Sequence, residues 1–298
     1  MANVITFDNF KPENIILSLE KKYVYSKESK ELQFKKVYPK YIYDNGVEDD
    51  IYIQIPEVAS YGVTTFDNST AGQAPTHTFS FVIDVKPSLE DDIDEYKAAE
   101  MNRGIIYIFE EIQTRIKDFL SLEVNARKLA KNVKTWPGIV DNIKPVLSYQ
   151  VDKETQQRIE GVPPTLFAKL KTENNRSTGL VTIKTNFSQI TTNQGLITVE
   201  APKAVQVFQK AKCQAMGVIH FESVYIPKTN LLSFQYKIAD ILVTSMVTRN
   251  ASRLVIPKRL LSRKPVERVF ESDEVSESTY NRSRSPSSNS SVSQQDLN

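Results

Sequence analysis

Apolar and polar positions along the chain follow two periods. Over residues 20–55, EKKYVYSKESKELQFKKVYPKYIYDNGVEDDIYIQI alternates aromatic or β-branched residues with polar ones, which predicts strands. The alternation breaks at KESKE and at Asp44-Asn45-Gly46, both hairpin signals. An edge element and a short strand are expected before it, in ITFDNFKPENIILSL. Pro56 to Thr78 has no period and reads as a long polar loop, and FSFVIDV (79–85) as the next strand.

The period then changes. After the acidic run Glu90-Asp91-Asp92-Ile93-Asp94-Glu95, residues Ile105, Ile108, Phe109, Ile112, Ile116, Phe119 and Leu120 fall on one helical face. ARKLAKNVK (126–134) continues the helix to a stop at Trp136-Pro137-Gly138. Strands return in VLSYQV (146–151), TLFAKLKT (165–172), GLVTIKTNF (179–187) and LITVE (196–200). A short helix, KAVQVFQKAK, leads into two long strands, CQAMGVIHFESVYI and LLSFQYKIADILVTSM, joined at Pro227-Lys228-Thr229-Asn230. Eleven serines lie between Ser262 and Asn298 with almost no large apolar residue after Phe270, so a disordered tail is expected. The reading is a β-rich α+β domain over 1–256, with a long helical insertion around 89–135 and a serine-rich tail over 257–298. Long hairpins and few helices favour a barrel or a sandwich over a parallel sheet.

Composition narrows the chemistry. With 40% hydrophobic and 25% charged residues, the 298-residue chain has material for a core. One cysteine and two histidines leave no set for a cysteine-rich zinc or iron–sulfur site or a histidine cage. None of the nine glycines precedes a lysine, and no GxGxxG occurs, which removes two nucleotide-binding loops. No cofactor and no catalytic constellation are expected, so the chain reads as a non-enzyme. No run of about 18 apolar residues and no signal-like start occur, so an intracellular protein without a membrane partner is expected.

A net charge of +2 hides a split, since nine basic and six acidic residues lie in 249–298 and the remainder is close to neutral. Binding to a polyanion therefore needs local clusters. Arg249–Arg268 is one. Lys21–Tyr43 is the other, with seven lysines and five tyrosines. There Lys21, Lys22, Lys35, Lys36 and Lys40 suit phosphates, while Tyr23, Tyr25, Tyr38, Tyr41 and Tyr43 suit stacked bases. The alternative is that these tyrosines line a sheet core. Arg127, Lys128, Lys131 and Lys134 beside Trp136 offer a second grip on a backbone and a base, against a solvated helix face over a packed indole. The acidic run suits a divalent cation or, better, a solvated helix start. His220 reads as structural, and Lys210 and Lys212 lie near enough in sequence to lower the Cys213 thiol pKa. Arg282-Ser283-Arg284-Ser285-Pro286 offers a kinase target, against the better-supported alternatives of an inert soluble tail or a nuclear-import signal around Lys258-Arg259.

The helix IFEEIQTRIKDFLSL, the strand TLFAKLKT, GLVTIKTNF and the closing run FQKAKCQAMGVIHFESVYIPKTNLLSFQYKIADILV stand in a telling order. Over residues 79–248 that order resembles the single-stranded-DNA-binding proteins of large nucleocytoplasmic DNA viruses, of the African swine fever virus type. The resemblance implies a partly open OB-like β-barrel and non-catalytic single-stranded DNA binding in viral DNA replication or repair. A host cytoplasmic or nuclear replication site and carriage in the virion are expected with it, and self-association and replication proteins as partners of the tail are expected beside it, the tail lying outside the resemblance. The alternative is a structural or assembly protein of such a virus, which the near-neutral body and long apolar strands also fit.

Overall fold

The computed structural model describes residues 3–25, 30–67, 74–86, 93–130, 132–175, 177–178, 180–227 and 231–246, and of 21–25 and 30–34 the backbone alone. Two single 3-10 turns, Phe7–Asn9 and Pro12–Asn14, lead into β1 (Ile15–Tyr25), which pairs antiparallel with β2 (Lys30–Ile42). The turn to β3 (Glu48–Ser60) closes through Tyr43 N–H donating to Val47 O at 3.0 Å, and Gly46 takes the left-handed φ of 75° that the turn needs. The described residues of 56–78, which leave out 68–73, are largely strand rather than loop: β3 runs to Ser60, and β4 (Val63–Phe66) pairs with β5 (Thr76–Val82). Their threonines gave no period, but ladder hydrogen bonds do not depend on hydrophobic alternation.

The helical layer is α1 (Ile93–Ser121), α2 (Glu123–Leu129) and α3 (Trp136–Asp141). Ile105, Ile108, Phe109, Ile112, Ile116 and Leu120 are all buried, with Phe119 packed at the margin. Trp136-Pro137-Gly138 starts a helix rather than stopping one. Pro137 sits in the first turn, where its missing N–H is no loss. Beyond the helices come β6 (Leu147–Ser148), β7 (Thr165–Leu170), a ribbon of β8 (Thr172–Asn174) and β9 (Val181–Ile183), and the hairpin of β10 (Asn186–Thr191) with β11 (Gly195–Val199). Then follow α4 (Ala201–Val207), β12 (Cys213–Pro227) and β13 (Ser233–Met246).

The structure is mostly β-sheet. β12 carries β13 along one edge and both β3 and β2 along the other. β3 meets β5 at Ala59 opposite Val82, β5 pairs with β7, and β7 runs parallel to β13 through Lys169–Lys237 and Leu170–Ile238. These pairings close a circuit of five strands, β3–β5–β7–β13–β12 and back to β3. Three register shifts of β12 against β13, at Gln214/Ala215, Val218/Ile219 and Phe221/Ser223, and one against β3 at Ala215/Gly217 add the local bend and twist that such a closed path needs. Ile51, Ile53, Ile55, Phe79, Phe81, Leu166, Ala168, Ile219, Phe221, Ile238 and Val243 are buried inside it. Burying each Ile, Leu, Val or Phe among them contributes about 1.5–3 kcal/mol. The tail over 257–298 and the basic cluster Arg249–Arg268 lie outside the described residues.

Candidate nucleic-acid interface

Cross-strand partners project from the same side of a sheet, so the register locates the outward side chains. With Ile51, Ile53 and Ile55 turned inward, Tyr52 points out, and its partner on β12 is His220. His220 pairs onward with Lys237, Lys237 with Lys169, Lys169 with Thr78, and Thr78 with Thr64. One outward row thus crosses β3, β12, β13, β7, β5 and β4. Two residues along β7 from Lys169, Phe167 faces out beside its partner Ser80 and is 48% exposed, while Leu166, Ala168 and Leu170 face in. Ser80 Oγ accepts from the Tyr61 N–H at 3.1 Å, which brings the exposed Tyr61 to the same patch. Gly62 makes this turn possible. Its φ is 68°, and a Cβ there would lie 2.2 Å from the Phe208 carbonyl oxygen. Phe66, at the end of β4, is a further exposed ring on the outward phase.

The middle of the row is polar and compact. The His220 and Tyr52 rings stack, with centroids 4.6 Å apart and planes at 16°. His220 Nε2 lies 3.2 Å from an Asp50 carboxylate oxygen, and Lys237 Nζ lies 2.9 Å from Glu222 Oε1. Burial holds the His220 pKa below the ordinary imidazole value although both carboxylates pull it up. Burial likewise raises the Tyr52 phenol.

The structure divides the lysine- and tyrosine-rich segment by strand parity. Lys36, Tyr38 and Lys40 lie on the outward phase of β2, where Lys36 pairs with Tyr225 and Lys40 with Asp50. Lys36 Nζ sits 5.8 Å from the Tyr38 ring centre, and Lys40 Nζ is 3.8 Å from Glu48. Tyr41 and Tyr43 take the other phase and are corrected to core residues. Tyr41 is 2% exposed, accepts from the Lys11 N–H at 2.6 Å and donates to Asn9 O at 3.2 Å. Tyr43 donates to Asp50 O at 2.8 Å, and burial pushes its phenol up to about 12. Neither ring can stack on a base. Lys35 is also drawn away: its ammonium donates to the carbonyls of Lys128 and Leu129 at the end of α2. Lys21, Lys22, Tyr23 and Tyr25 fall on β1, and their side chains lie outside the described residues.

The second candidate cluster does not assemble. Trp136 is 1% exposed, and its indole N–H donates to Leu120 O at 2.9 Å, so it is core rather than a stacking platform. Arg127, Lys128 and Lys134 are exposed, Arg127 is paired with Glu123, and Lys131 lies outside the described residues. In the acidic run, Glu90, Asp91 and Asp92 lie outside the described residues and Asp94 and Glu95 open α1. No group of three metal-ligating side chains occurs among the described residues. The Cys213 thiol is raised to about 11 by burial rather than lowered by nearby lysines. Phe167, Lys169, Lys237 and Tyr52 belong to no cluster in the sequence. The signal was there in TLFAKL, where an outward phenylalanine shares its phase with a lysine.

The model of a family described as "Protein of unknown function (DUF2738)" matches residues 18–282, a wider span than the 79–248 of the viral resemblance. No curated protein matches the chain. Among solved structures, the chain is similar to the single-stranded DNA-binding protein from bacteriophage Enc34 in complex with single-stranded DNA. That match has 13% identity over 70% of this chain and 92% of the other, with a TM-score of 0.37. It is also similar to gp2.5, a single-stranded DNA binding protein encoded by bacteriophage T7. Here identity is 10% over 68% of this chain and 96% of the other, with a TM-score of 0.36.

Proposed function

The chain belongs to the DUF2738 family of proteins of unknown function, and we propose that it binds single-stranded DNA on the outward face of its five-strand circuit without catalysing a reaction. The observation that carries this reading is the placement of an exposed ring and cations in register: Phe167 and Lys169 on β7, with Lys237 opposite Lys169 on β13. Taken in chain order, β3, β5, β7, β12 and β13 are five strands in which the third and fifth run parallel, the arrangement we read as an OB-like barrel. In such barrels the second and third strands and the loop between the first and second hold oligonucleotides. Here those parts carry Thr78, Ser80, Phe167 and Lys169, with Tyr61 and Phe66 above them.

The mechanism is stacking plus phosphate neutralisation. Each base stacked on an aromatic side chain contributes about 1–3 kcal/mol, and every base offers a π-face, so sequence preference is weak. Lys36, Lys40, Lys169 and Lys237 meet phosphates, and Phe167 and Tyr38 meet bases. Lys21, Lys22, Tyr23 and Tyr25 on the β1–β2 hairpin would extend the same track. The setting we carry forward from the resemblance over 79–248 is viral DNA replication or repair.

Fluorescence anisotropy with a labelled single-stranded oligonucleotide and its duplex, across salt, tests the reading. The single strand is expected to bind more tightly, with log K falling by about 0.7 per phosphate neutralised for each unit of log salt. Equal or tighter duplex binding overturns the stacking mechanism. Absence of binding at low salt favours a structural or assembly role.

A further inference from the structure

At the centre of the outward face, one carboxylate oxygen faces two different nitrogens. Glu222 Oε1 is 2.9 Å from Lys237 Nζ and 3.9 Å from His220 Nδ1. We propose, on the premise that this face binds single-stranded DNA, that Glu222 occupies Lys237 as an internal stand-in for phosphate and passes to His220 when a nucleic-acid phosphate takes the lysine.

The geometry around His220 supports the exchange. Nε2 faces Asp50 at 3.2 Å, so in the neutral ring the proton resides there and is shared with that carboxylate. Nδ1 then carries a lone pair toward Glu222, acceptor against acceptor, and is buried without a hydrogen-bond partner among the described residues. An unmet buried polar atom is costly, and one proton removes the cost. A solvent proton added at Nδ1 makes it a donor toward the carboxylate, which closes the 3.9 Å gap as it leaves Lys237, and no other covalent bond changes. The charged or titratable groups facing the imidazole are Asp50 and Tyr52 on β3, Glu222 on β12, Lys237 on β13 and Lys171 just past β7. In the free protein Lys237 satisfies Glu222, and burial keeps the ring neutral. When phosphate competes for Lys237, Glu222 needs a new partner and His220 takes up the proton. Binding should therefore tighten as the solution is acidified through the imidazole range.

The test is anisotropy of the full-length protein with a labelled oligothymidylate, whose bases do not protonate in this range, at about pH 7.5 and about pH 5.5. The wild type is expected to bind roughly fivefold tighter at the lower pH, the worth of about one partly exposed charge pair. Glu222→Gln is expected to bind roughly fivefold tighter at both, with a salt slope steeper by about 0.7. His220→Gln should lose the pH response, and His77→Gln, which alters the only other histidine, should keep it. Without any variant, the His220 titration followed by NMR should move to higher pH when the protein is saturated with oligonucleotide. Wild-type binding without pH dependence, an unchanged response in His220→Gln, or an unmoved titration overturns the exchange and leaves the binding reading standing. Failure of the wild type to bind at either pH overturns both.

Discussion

The Lys35 ammonium on β2 donates to the carbonyl of Leu129, the last residue of α2, and at 3.1 Å to that of Lys128 beside it. A cation on the last carbonyls of a helix meets the negative end of its dipole and satisfies acceptors that have no partner within the helix. The bond also ties the β1–β2 hairpin to the helical layer. Lys35→Ala is expected to lower unfolding stability by about 1 kcal/mol, the scale of one such hydrogen bond and dipole contact, while leaving oligonucleotide affinity unchanged. Urea unfolding and anisotropy on one preparation check it. A loss of affinity at unchanged stability would return Lys35 to the phosphate track.

Phe167 and Tyr41 should separate binding from packing. Phe167 is half exposed on the outward row, so Phe167→Ala should weaken single-strand binding by about 1–3 kcal/mol with little change in melting temperature. Tyr41 is buried against Phe10 and Tyr43 and bonded to Lys11 and Asn9, so Tyr41→Ala should cost about 3–5 kcal/mol of stability. Thermal denaturation and anisotropy of both variants read the two effects independently. Equal destabilisation by both would place Phe167 in the core.

Acid should destabilise the free protein through its two histidines. Burial lowers both His77 and His220, so the folded state holds them neutral more firmly than the unfolded chain does. The unfolded chain then binds more protons. The stability tied to the neutral rings is complete above about pH 6.5 and is lost as pH falls through the lowered native values. Melting temperature should drop between about pH 7.5 and about pH 5, and the His77→Gln/His220→Gln double variant should flatten that slope. A steeper slope in the double variant would contradict the assignment.

Cys213 should be inert in the folded protein. It is buried, and its thiol is raised to about 11, so almost no thiolate forms near neutral pH. A chromogenic thiol reagent at mildly alkaline pH is expected to label it only after denaturant is added. Fast labelling of the native protein would mean that the β12 end opens.

Much of the fold can be read in the sequence wherever one period persists. The buried face of α1, from Ile105 to Leu120, follows from spacing alone, as do β12 and β13 and the turn at Gly46. The five-strand circuit does not, because β7 and β13 are far apart in the chain and their parallel contact leaves no local trace. Strand parity in VYPKYIY already sets Tyr38 and Lys40 apart from Val37, Tyr41 and Tyr43, yet parity alone does not say which phase faces the core. Tyrosine, amphipathic and strand-favouring, suits either side. For the same reason Phe167, a single exposed ring in a six-residue strand, gains meaning only beside Lys169, Lys237 and Tyr61.

The most direct test of the central claim is photochemical cross-linking of the full-length protein to a single-stranded oligonucleotide carrying halogenated uracil, with mass-spectrometric mapping of the attached peptides. Stacked rings capture such bases on irradiation, so adducts are expected on Phe167 and the aromatic residues around it, Tyr61 or Phe66, suppressed by excess unlabelled single strand and little affected by duplex. Adducts confined to the exposed face of α1, or none at low salt where the protein is folded, would contradict it.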